Sequence, residues 1–268
     1  MTRSSHTYTG EPIRYASNTF QTGLQVLVVP KDLLDTVLAA CRKQKGRLTG
    51  LLNQLVVRAL SESLPQEMGF DSFTGQIVID LRPLVPDYSD NMMGNYVSAI
   101  CDISPRIGAE ADYDHTFWEA VRNTTFQLAD AVSTLEDQPI GLLKYLNNFR
   151  SWFLNQIGKD RDLSYEISNV GVFDPSVRGE CGDVVPSTPE GQIRWKIERI
   201  MFSQPANVTG APLNFQAATM KDADLVITLN WQIGVLGVQD EDTLTRTILN
   251  KIQGFMDEIA MKYASPYS

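Results

Sequence analysis

Three groups of polar side chains have the residue types and spacing expected of a small-molecule site. The first is Ser168 and Asn169, near the end of residues 163–171, where apolar and polar side chains alternate as in a half-buried strand. The second joins Asp80 and Arg82 to residues 93–96 on the next predicted strand. The third combines residues 202–204 with the polar face of residues 225–232. Together they predict a cleft of neutral hydrogen-bonding groups and aromatic rings, although the solvated face of a sheet would show the same pattern.

These groups predict a division of roles within the cleft. A hydroxyl or amide placed at a reacting carbonyl can polarise it, and a guanidinium can hold a carboxylate. The candidates for catalysis are therefore Arg82, Tyr96, Ser168 and Asn169. The candidates for contact with the substrate are Met93, Phe202, Ser203, Gln204, Thr228, Asn230 and Trp231.

Candidates for acid–base or metal chemistry are scarce in this sequence. Of the two histidines, His6 lies in the N-terminal segment and His115 opens a predicted helix, for which we expect Asp112 to be the cap. His115 and the residues after it imitate an HxxxD motif only superficially. The acidic residues 240–242 fall at another helix start, where carboxylates are favoured by the helix dipole. Motifs typical of zinc, nucleotide or serine-hydrolase sites are absent, so we predict no metal and no cofactor.

Composition restricts the partners and the compartment. The 268 residues carry a net charge of −9, which argues against nucleic acid and anionic membranes as partners. No apolar run approaches the roughly 18 residues of a membrane span, and no signal peptide is evident. Cys41, Cys101 and Cys181 are odd in number and widely spaced, which is typical of a reducing compartment. We therefore expect a soluble, cytoplasmic protein with a small-molecule substrate.

The candidate residues depend on a sheet assembled from several predicted strands. Short apolar or alternating runs predict strands at residues 24–29, 76–82, 95–103, 163–171, 194–203, 213–219 and 225–232. Helical spacing predicts helices within residues 32–46, 49–64, 115–135, 139–153 and 240–260. A long Gly, Pro and Ser-rich loop is expected at residues 174–192.

The order of these elements favours an α+β fold, a mixed β-sheet with helices mainly on one face. The helix that we expect Thr49 to cap is apolar on two sides, so it is predicted to lie between two layers. Residues 1–23 are polar and rich in turn-forming residues, and we expect them to form an extended arm. Residues 24–268 are then expected to form a single domain.

Several short motifs occur in an order shared with a known family. They are Cys41 and Arg42 before residues 48–52, residues 80–82, residues 93–96, residues 167–171, residues 202–204 with Gly210, and residues 225–227 leading to Trp231 and Gln232. Over residues 24–260 this order resembles the C-terminal half of the fungal alcohol acetyltransferase family. That family is grouped with condensation domains and trichothecene acetyltransferases in the chloramphenicol-acetyltransferase-like superfamily.

The resemblance implies a single chloramphenicol-acetyltransferase-like half. Members of the family have two similar αβ halves that meet at a tunnel, and an HxxxD motif in the first half supplies the general base. No segment of this sequence matches that first half, so no catalytic histidine is assigned. The uncovered flank is expected either to self-associate as a homodimer or to be covered by residues 1–23.

Three functions are compatible with these observations. The one that we predict is a biosynthetic enzyme of secondary metabolism that catalyses a base-independent cyclisation, such as a Diels–Alder reaction, of an apolar substrate with a polar handle. The second is an acyltransferase completed by a partner chain, since a general base contributes roughly 10²–10⁴-fold to such a reaction. The third is a non-catalytic ligand-binding or scaffold protein.

Overall fold

Six strands and five α-helices form the part of the chain that this computed structural model describes, namely residues 6–88, 92–108, 112–174 and 197–263. The strands are β1 (Thr22–Val29), β2 (Ser72–Asp80), β3 (Val97–Pro105), β4 (Tyr165–Phe173), β5 (Leu213–Met220) and β6 (Leu225–Gln232). The helices are α1 (Lys31–Lys43), α2 (Leu48–Ser63), α3 (His115–Ala131), α4 (Phe149–Leu154) and α5 (Glu241–Tyr263). Short 3₁₀ helices cover Gln66–Met68, Arg82–Leu84 and Pro139–Tyr145.

The described strands join in one mixed sheet with the order β1-β6-β5-β4-β2-β3. The central strand β4 pairs in parallel with both β5 and β2, and the other three pairs are antiparallel. The pairing of β4 with β5 shifts register between Asn169 and Val172. Gly171 lies within this irregularity at φ +81°, in the left-handed region that glycine tolerates without steric cost.

The helices pack on one face of the sheet, where alternate strand residues meet them. Tyr165, Ile167, Phe215 and Leu229 belong to this core together with apolar residues of α1, α2, α3 and α5. Residues 50–61 of α2 are buried on every side, because this helix lies between β4 and the helices α3 and α5. The predicted α+β class, with a mixed sheet and helices mainly on one face, is confirmed.

One predicted strand is replaced by an irregular segment that we call the strap, residues 197–212. Residues 194–196 of the predicted strand lie outside the described residues, and residues 197–203 form no strand. The strap instead crosses the sheet face opposite the helices, where Thr228 Oγ1 lies 2.7 Å from Phe202 O. The alternating pattern of residues 194–203 was therefore misleading, because it does not show whether a backbone pairs with a strand or with side chains.

Several helix boundaries differ from the predictions; side chains cap α3 and α4, whereas the N-cap residue of α2 makes no side-chain cap bond. Residue 47 is the N-cap of α2 instead of Thr49, and Asp114 rather than Asp112 caps α3, its Oδ1 accepting from Phe117 N at 3.0 Å. Residues 139–153 are divided between a 3₁₀ helix and α4, because Asn148 Oδ1 accepts from Ser151 N at 2.8 Å and starts a new helix. Helix α3 ends at residue 131, earlier than predicted.

The described part of the predicted N-terminal arm packs against the domain. Tyr8 is fully buried, and its hydroxyl donates to Leu236 O at 3.0 Å. Thr7 pairs with Ser72 at the start of β2, their hydroxyl oxygens 2.9 Å apart. Residues 175–192 of the predicted loop, with Cys181, lie outside the described residues.

Candidate functional site

The sheet face opposite the helices has two halves that differ in what lies over them. Residues paired across neighbouring strands share a face, so the register groups the side chains. The half that we call the covered face lies under the strap and consists of Asn214, Gln216, Thr228, Asn230 and Gln232. The half that we call the open face lies on β3, β2 and β4 and consists of Thr74, Gln76, Val78, Val97, Ala99, Cys101, Ile103, Glu166, Ser168 and Val170.

Asn230 is the centre of the covered face. Its Nδ2 donates to Gln204 O at 2.6 Å, to Gln216 Oε1 at 3.0 Å and to Ser203 Oγ at 3.2 Å. Thr228 Oγ1 lies 2.8 Å from Gln216 Oε1, and neither Thr228 nor Asn230 is exposed. The structure therefore brings together the predicted substrate contacts Ser203, Gln204, Thr228 and Asn230, but in bonds to one another and not in an open cleft.

Trp231 points to the helix side, away from both halves of this face. Its Nε1 donates to Glu241 Oε2 at 2.9 Å, and the Glu241 carboxylate also accepts from Gly234 N at 2.6 Å and Leu236 N at 2.7 Å. Glu241 thus fixes the loop after β6, while its neighbour Asp240 caps α5 by accepting from Thr243 N at 2.9 Å. Trp231 is not placed with the other predicted substrate contacts.

Ser168 and Asn169 lie on opposite faces of β4. Ser168 is level with Gln216 of β5 and lies at the boundary between the open and covered faces. Asn169 faces the helices, where its Nδ2 donates to Thr49 Oγ1 at 3.1 Å. Its Oδ1 accepts from Gly171 N at 3.0 Å and supports the register shift in β4. The two residues therefore do not form the single polar group that their adjacency predicted.

Glu166 is a titratable residue of the open face that the sequence analysis did not select. It lies between Gln76 and Asn214 in the register. Burial raises the pKa of its carboxyl, while a hydrogen bond from Asn207 Nδ2 to Oε2 at 3.4 Å has a smaller, opposite effect. The sequence contained the signal, because alternation places Glu166 and Ser168 on one face of the central strand. A carboxyl with a raised pKa can hold or exchange a proton closer to neutral pH than usual.

Arg82, Met93 and Tyr96 meet at one end of the open face. With Tyr88 they line a hollow of about 370 Å³, in which the Tyr88 and Tyr96 rings lie edge to face at 5.4 Å. Arg82 Nε donates to Asp80 Oδ1 at 2.8 Å, and this bond, the charge of Asp80 and a bond with Tyr88 raise the pKa of Arg82. The guanidinium remains about half exposed, so it can still accept a carboxylate from solution.

A groove of about 1010 Å³ lies at the other end of the open face. Its walls come from Thr74, Ala99, Cys101 and Ile103 of the sheet and from residues 130–142. Burial raises the pKa of the Cys101 thiol, so this group is a weakly polar contact at neutral pH and not a thiolate nucleophile. The groove therefore offers mostly apolar walls next to the polar centre of the open face.

The named residues of the open face include no imidazole. His115 is 82% exposed in the first turn of α3, with Nδ1 3.7 Å from Glu119 Oε2. His6 is exposed where the described chain begins. Among the described residues, no three His, Cys, Asp or Glu side chains converge in a way that could hold a metal ion. None of the helices in the described ranges has the length and apolarity to cross a membrane.

The chain resembles two curated fungal proteins, and no protein-family profile matches it. The probable alcohol acetyltransferase FCK4 of Fusarium pseudograminearum is 26% identical over 253 residues, which are 88% of this chain and 47% of that protein. The probable alcohol acetyltransferase crmB of Aspergillus fumigatus is 26% identical over 206 residues, 73% of this chain and 42% of that protein. The chain thus spans about half the length of the curated relatives that it matches.

Solved structures show the same relation at the level of the fold. The TRI3 trichothecene 15-O-acetyltransferase from Fusarium sporotrichioides has a TM-score of 0.65 at 14% identity, over 95% of this chain and 49% of that one. The condensation domain of the Monacolin K polyketide synthase MokA has a TM-score of 0.54 at 10% identity, over 98% of this chain and 51% of that one. The predicted resemblance is confirmed: over most of its length this chain resembles the fungal alcohol acetyltransferases, on the fold of condensation and acyltransferase domains.

Proposed function

We propose that this chain is an enzyme of secondary metabolism that binds an apolar small molecule along the open face and accelerates its cyclisation without a strong base. One observation carries the proposal. The open face has a groove of about 1010 Å³ at one end, the exposed guanidinium of Arg82 at the other, and hydrogen-bonding groups between them. Such a surface can fix the conformation of a flexible substrate at both ends.

The dimensions of the open face suit a linear substrate. Thr74 and Asp80 are six residues apart on β2, which corresponds to about 20 Å along an extended strand. A carboxylate paired with Arg82 would direct the rest of the substrate over Val78 and Ala99 towards the groove. Met93, which is 99% exposed beside Arg82, would contribute an adaptable apolar contact.

The proposed cyclisation depends on how the reacting parts of the substrate are positioned, and it requires no proton transfer. In an intramolecular Diels–Alder reaction two σ bonds form while three π bonds become one, and no proton, electron pair or leaving group is exchanged. Holding the diene against the dienophile can supply up to roughly 7–11 kcal/mol. A hydrogen bond to a carbonyl on the dienophile from Ser168, Tyr96 or protonated Glu166 would lower the barrier further.

The test uses a synthetic linear polyene carboxylic acid that carries a diene and an enone. Chromatography with mass detection should show conversion to an isomer of unchanged mass, faster with the purified chain than in buffer. Arg82→Ala should lower kcat/KM by roughly 10- to 100-fold, since it removes the charged anchor. Arg42→Ala, an exposed substitution on α1, is the matched control and should leave the rate unchanged. Equal rates with chain and buffer, or equal rates for the two variants, would overturn the proposal.

A second candidate is acyl transfer by this chain together with a partner chain. Its support is that the chain spans about half of its acetyltransferase relatives and exposes large apolar side chains near the open face. These are Val170, Val172 and Phe173 at the end of β4, and Leu142, Tyr145 and Phe149 beyond the groove. Light scattering combined with size exclusion, followed by incubation with acetyl-CoA and an alcohol, tests this candidate. A monomer that transfers no acetyl group would eliminate it.

A further inference from the structure

A separate cavity of about 470 Å³ lies on the helix side of the sheet. Asp102 pairs with Gly75 in the β2–β3 register and faces the helices, whereas its neighbour Cys101 belongs to the open face. The cavity is therefore distinct from the open face. Its lining comes from three elements: Gln54 and Val57 of α2, Asp102 and Ser104 of β3, and Phe117, Ala120 and Thr124 of α3.

Gln54 is a polar residue of this cavity whose amide has no protein partner. The residue is only 6% exposed, and its side chain makes no hydrogen bond with any described residue. The amide lines the cavity, so a molecule bound there can form hydrogen bonds with both its oxygen and its nitrogen. Gln54 therefore offers a hydrogen-bonding group, unused by the described residues, to a molecule inside the cavity.

Asp102 is a carboxylate that the fold holds rigidly beside Gln54. Its Oδ2 accepts from Asn53 Nδ2 at 2.6 Å, and the hydroxyls of Ser104 and Thr124 lie 3.5 Å from the same oxygen. Asn53 is in turn fixed by Tyr165, whose hydroxyl donates to Asn53 Oδ1 at 2.7 Å. Since all these contacts fall on Oδ2, the other oxygen, Oδ1, is left as an acceptor for a ligand.

Two cations lie near the cavity, and both make contacts within the protein, although the buried Nη1 of the lining residue Arg58 has no hydrogen-bond partner among the described residues. The guanidinium of Arg58 lies between the rings of Tyr113 and Phe255, at 4.7 and 4.6 Å from their centroids, and its Nε is 3.3 Å from Glu62. Lys262 pairs with Asp112 at 2.8 Å on the rim. Asp102 and the rim residue Asp114 have no such cationic partner among the described residues, so the cavity keeps a negative charge.

We infer that this cavity binds a small organic ammonium ion, a primary or secondary amine with an apolar body. Its N–H groups would donate to Asp102 Oδ1 and Gln54 Oε1, and its body would contact Val57, Phe117 and Ala120. A carboxylate of the same shape would be repelled by Asp102, and an alcohol would lack the charge that strengthens the hydrogen bond. The inference does not depend on the cyclisation proposed for the open face.

The experiment uses the full chain and three probes of the same shape: 2-phenylethylammonium, 2-phenylethanol and phenylacetate. Titration calorimetry should show that the ammonium ion binds at least about tenfold more tightly than the alcohol, and that phenylacetate does not bind. Asp102→Asn keeps an acceptor for Asn53 but removes the charge, and should weaken ammonium binding by about tenfold. Ala120→Leu fills the cavity without changing charge and should abolish binding of both the ammonium ion and the alcohol.

The matched control is Asp242→Asn, which removes an exposed carboxylate at the start of α5. This variant should bind the ammonium probe as the unsubstituted chain does. Unfolding curves for each variant show whether a loss of binding comes from a loss of structure. Equal binding of ammonium and alcohol, equal binding by the Asp102 and Asp242 variants, or no binding at millimolar probe would overturn the inference.

Discussion

The covered and open faces belong to the same side of the sheet and are similarly polar. They differ in the hydrogen-bond partners that the rest of the chain provides for their polar side chains. On the covered face, the strap brings Gln204 O and Ser203 Oγ to Asn230, so Asn230 Nδ2 is hydrogen-bonded inside the protein, whereas the buried Asn230 Oδ1 and Gln216 Nε2 have no partner among the described residues. On the open face, the strap contributes one long hydrogen bond, from Asn207 to Glu166 at 3.4 Å, and among the described residues it makes none to Gln76. A polar strand face therefore indicates a binding site only where no other segment of the chain packs over it and bonds to its polar groups.

The largest expected effect concerns the residue that anchors the strap. Arg161 is 1% exposed and donates from Nη1 to Val208 O at 2.6 Å and to Gly210 O at 2.9 Å. Burial, and then the nearby charge of Arg14, lowers the pKa of Arg161 to about 10. Arg161→Ala should destabilise the fold by about 3 kcal/mol and loosen the strap, because several buried carbonyls lose a charged donor.

Urea denaturation measures the loss of stability, and hydrogen exchange of residues 197–212 measures the loosening of the strap. Arg161→Lys is the control, since it keeps the charge but cannot reach the same carbonyls together, and its effect should be intermediate. If Arg161→Ala left both measurements unchanged, the strap would be held by other contacts.

The next prediction compares one amide from each half of the face. Asn230→Ala should cost about 2–3 kcal/mol, because it removes a buried side chain, leaves Gln204 O without the Asn230 donor and leaves Gln216 Oε1 with the Thr228 hydroxyl alone. Gln76→Ala on the open face should cost less than about 0.5 kcal/mol, as is usual for partly exposed positions. Similar losses in thermal or urea unfolding for the two variants would contradict the distinction between the faces.

A smaller effect on the free energy of unfolding is expected from Glu166, and it can be measured at a series of pH values. Because the pKa of Glu166 is raised by burial, the folded chain holds this proton more tightly than the unfolded chain does. Its contribution to stability is complete below the ordinary glutamate pKa and is lost as pH rises through the raised pKa of the folded state. The stability of Glu166→Gln, measured by urea unfolding at each pH, should lack this decline. A difference between the two proteins that is constant, or that grows in favour of the unsubstituted chain as pH rises, would show that the pKa is not raised.

The smallest effect is expected at the edge of the open face. Val170 is 56% exposed, so Val170→Ser should change the free energy of unfolding by less than about 0.5 kcal/mol. Thermal unfolding of dilute protein measures this change. A loss above about 1 kcal/mol would mean that the open face is covered in solution, which would favour the candidate function that needs a partner chain.

Local patterns in the sequence predicted the elements well where side-chain periodicity decides the structure. Residues 163–171 correspond closely to β4, and the apolar character of α2 on two sides correctly placed it between layers. The same reasoning failed for residues 194–203, since the strap makes its contacts with side chains of β6 and not with a strand backbone. The cap of α3 also differed, because the neighbouring Asp112 and Asp114 are both suited to that role, and α2 begins one residue before Thr49 without a side-chain cap.

The candidate site was predictable only in part. The sequence predicted that Arg82, Met93 and Tyr96 lie together, because they belong to neighbouring strand ends that are close in the chain, and in the structure they line one hollow. Glu166 was missed because its character comes from burial between β2 and β5, which are distant in sequence. Trp231 was misplaced with the substrate contacts because its partner, Glu241, belongs to the loop and helix that follow β6.

The sequence by itself determined six of the predicted strands, the faces of the helices, the polarity of one sheet surface and the resemblance to the acetyltransferases. Only the tertiary structure decided that one half of that surface is filled by the strap and the other is left open. The physical reason is that periodicity is local, whereas the partners of a polar group are not. Asn230 Nδ2 donates to the carbonyl oxygen of Gln204, 26 residues away, and no pattern within β6 could show that contact.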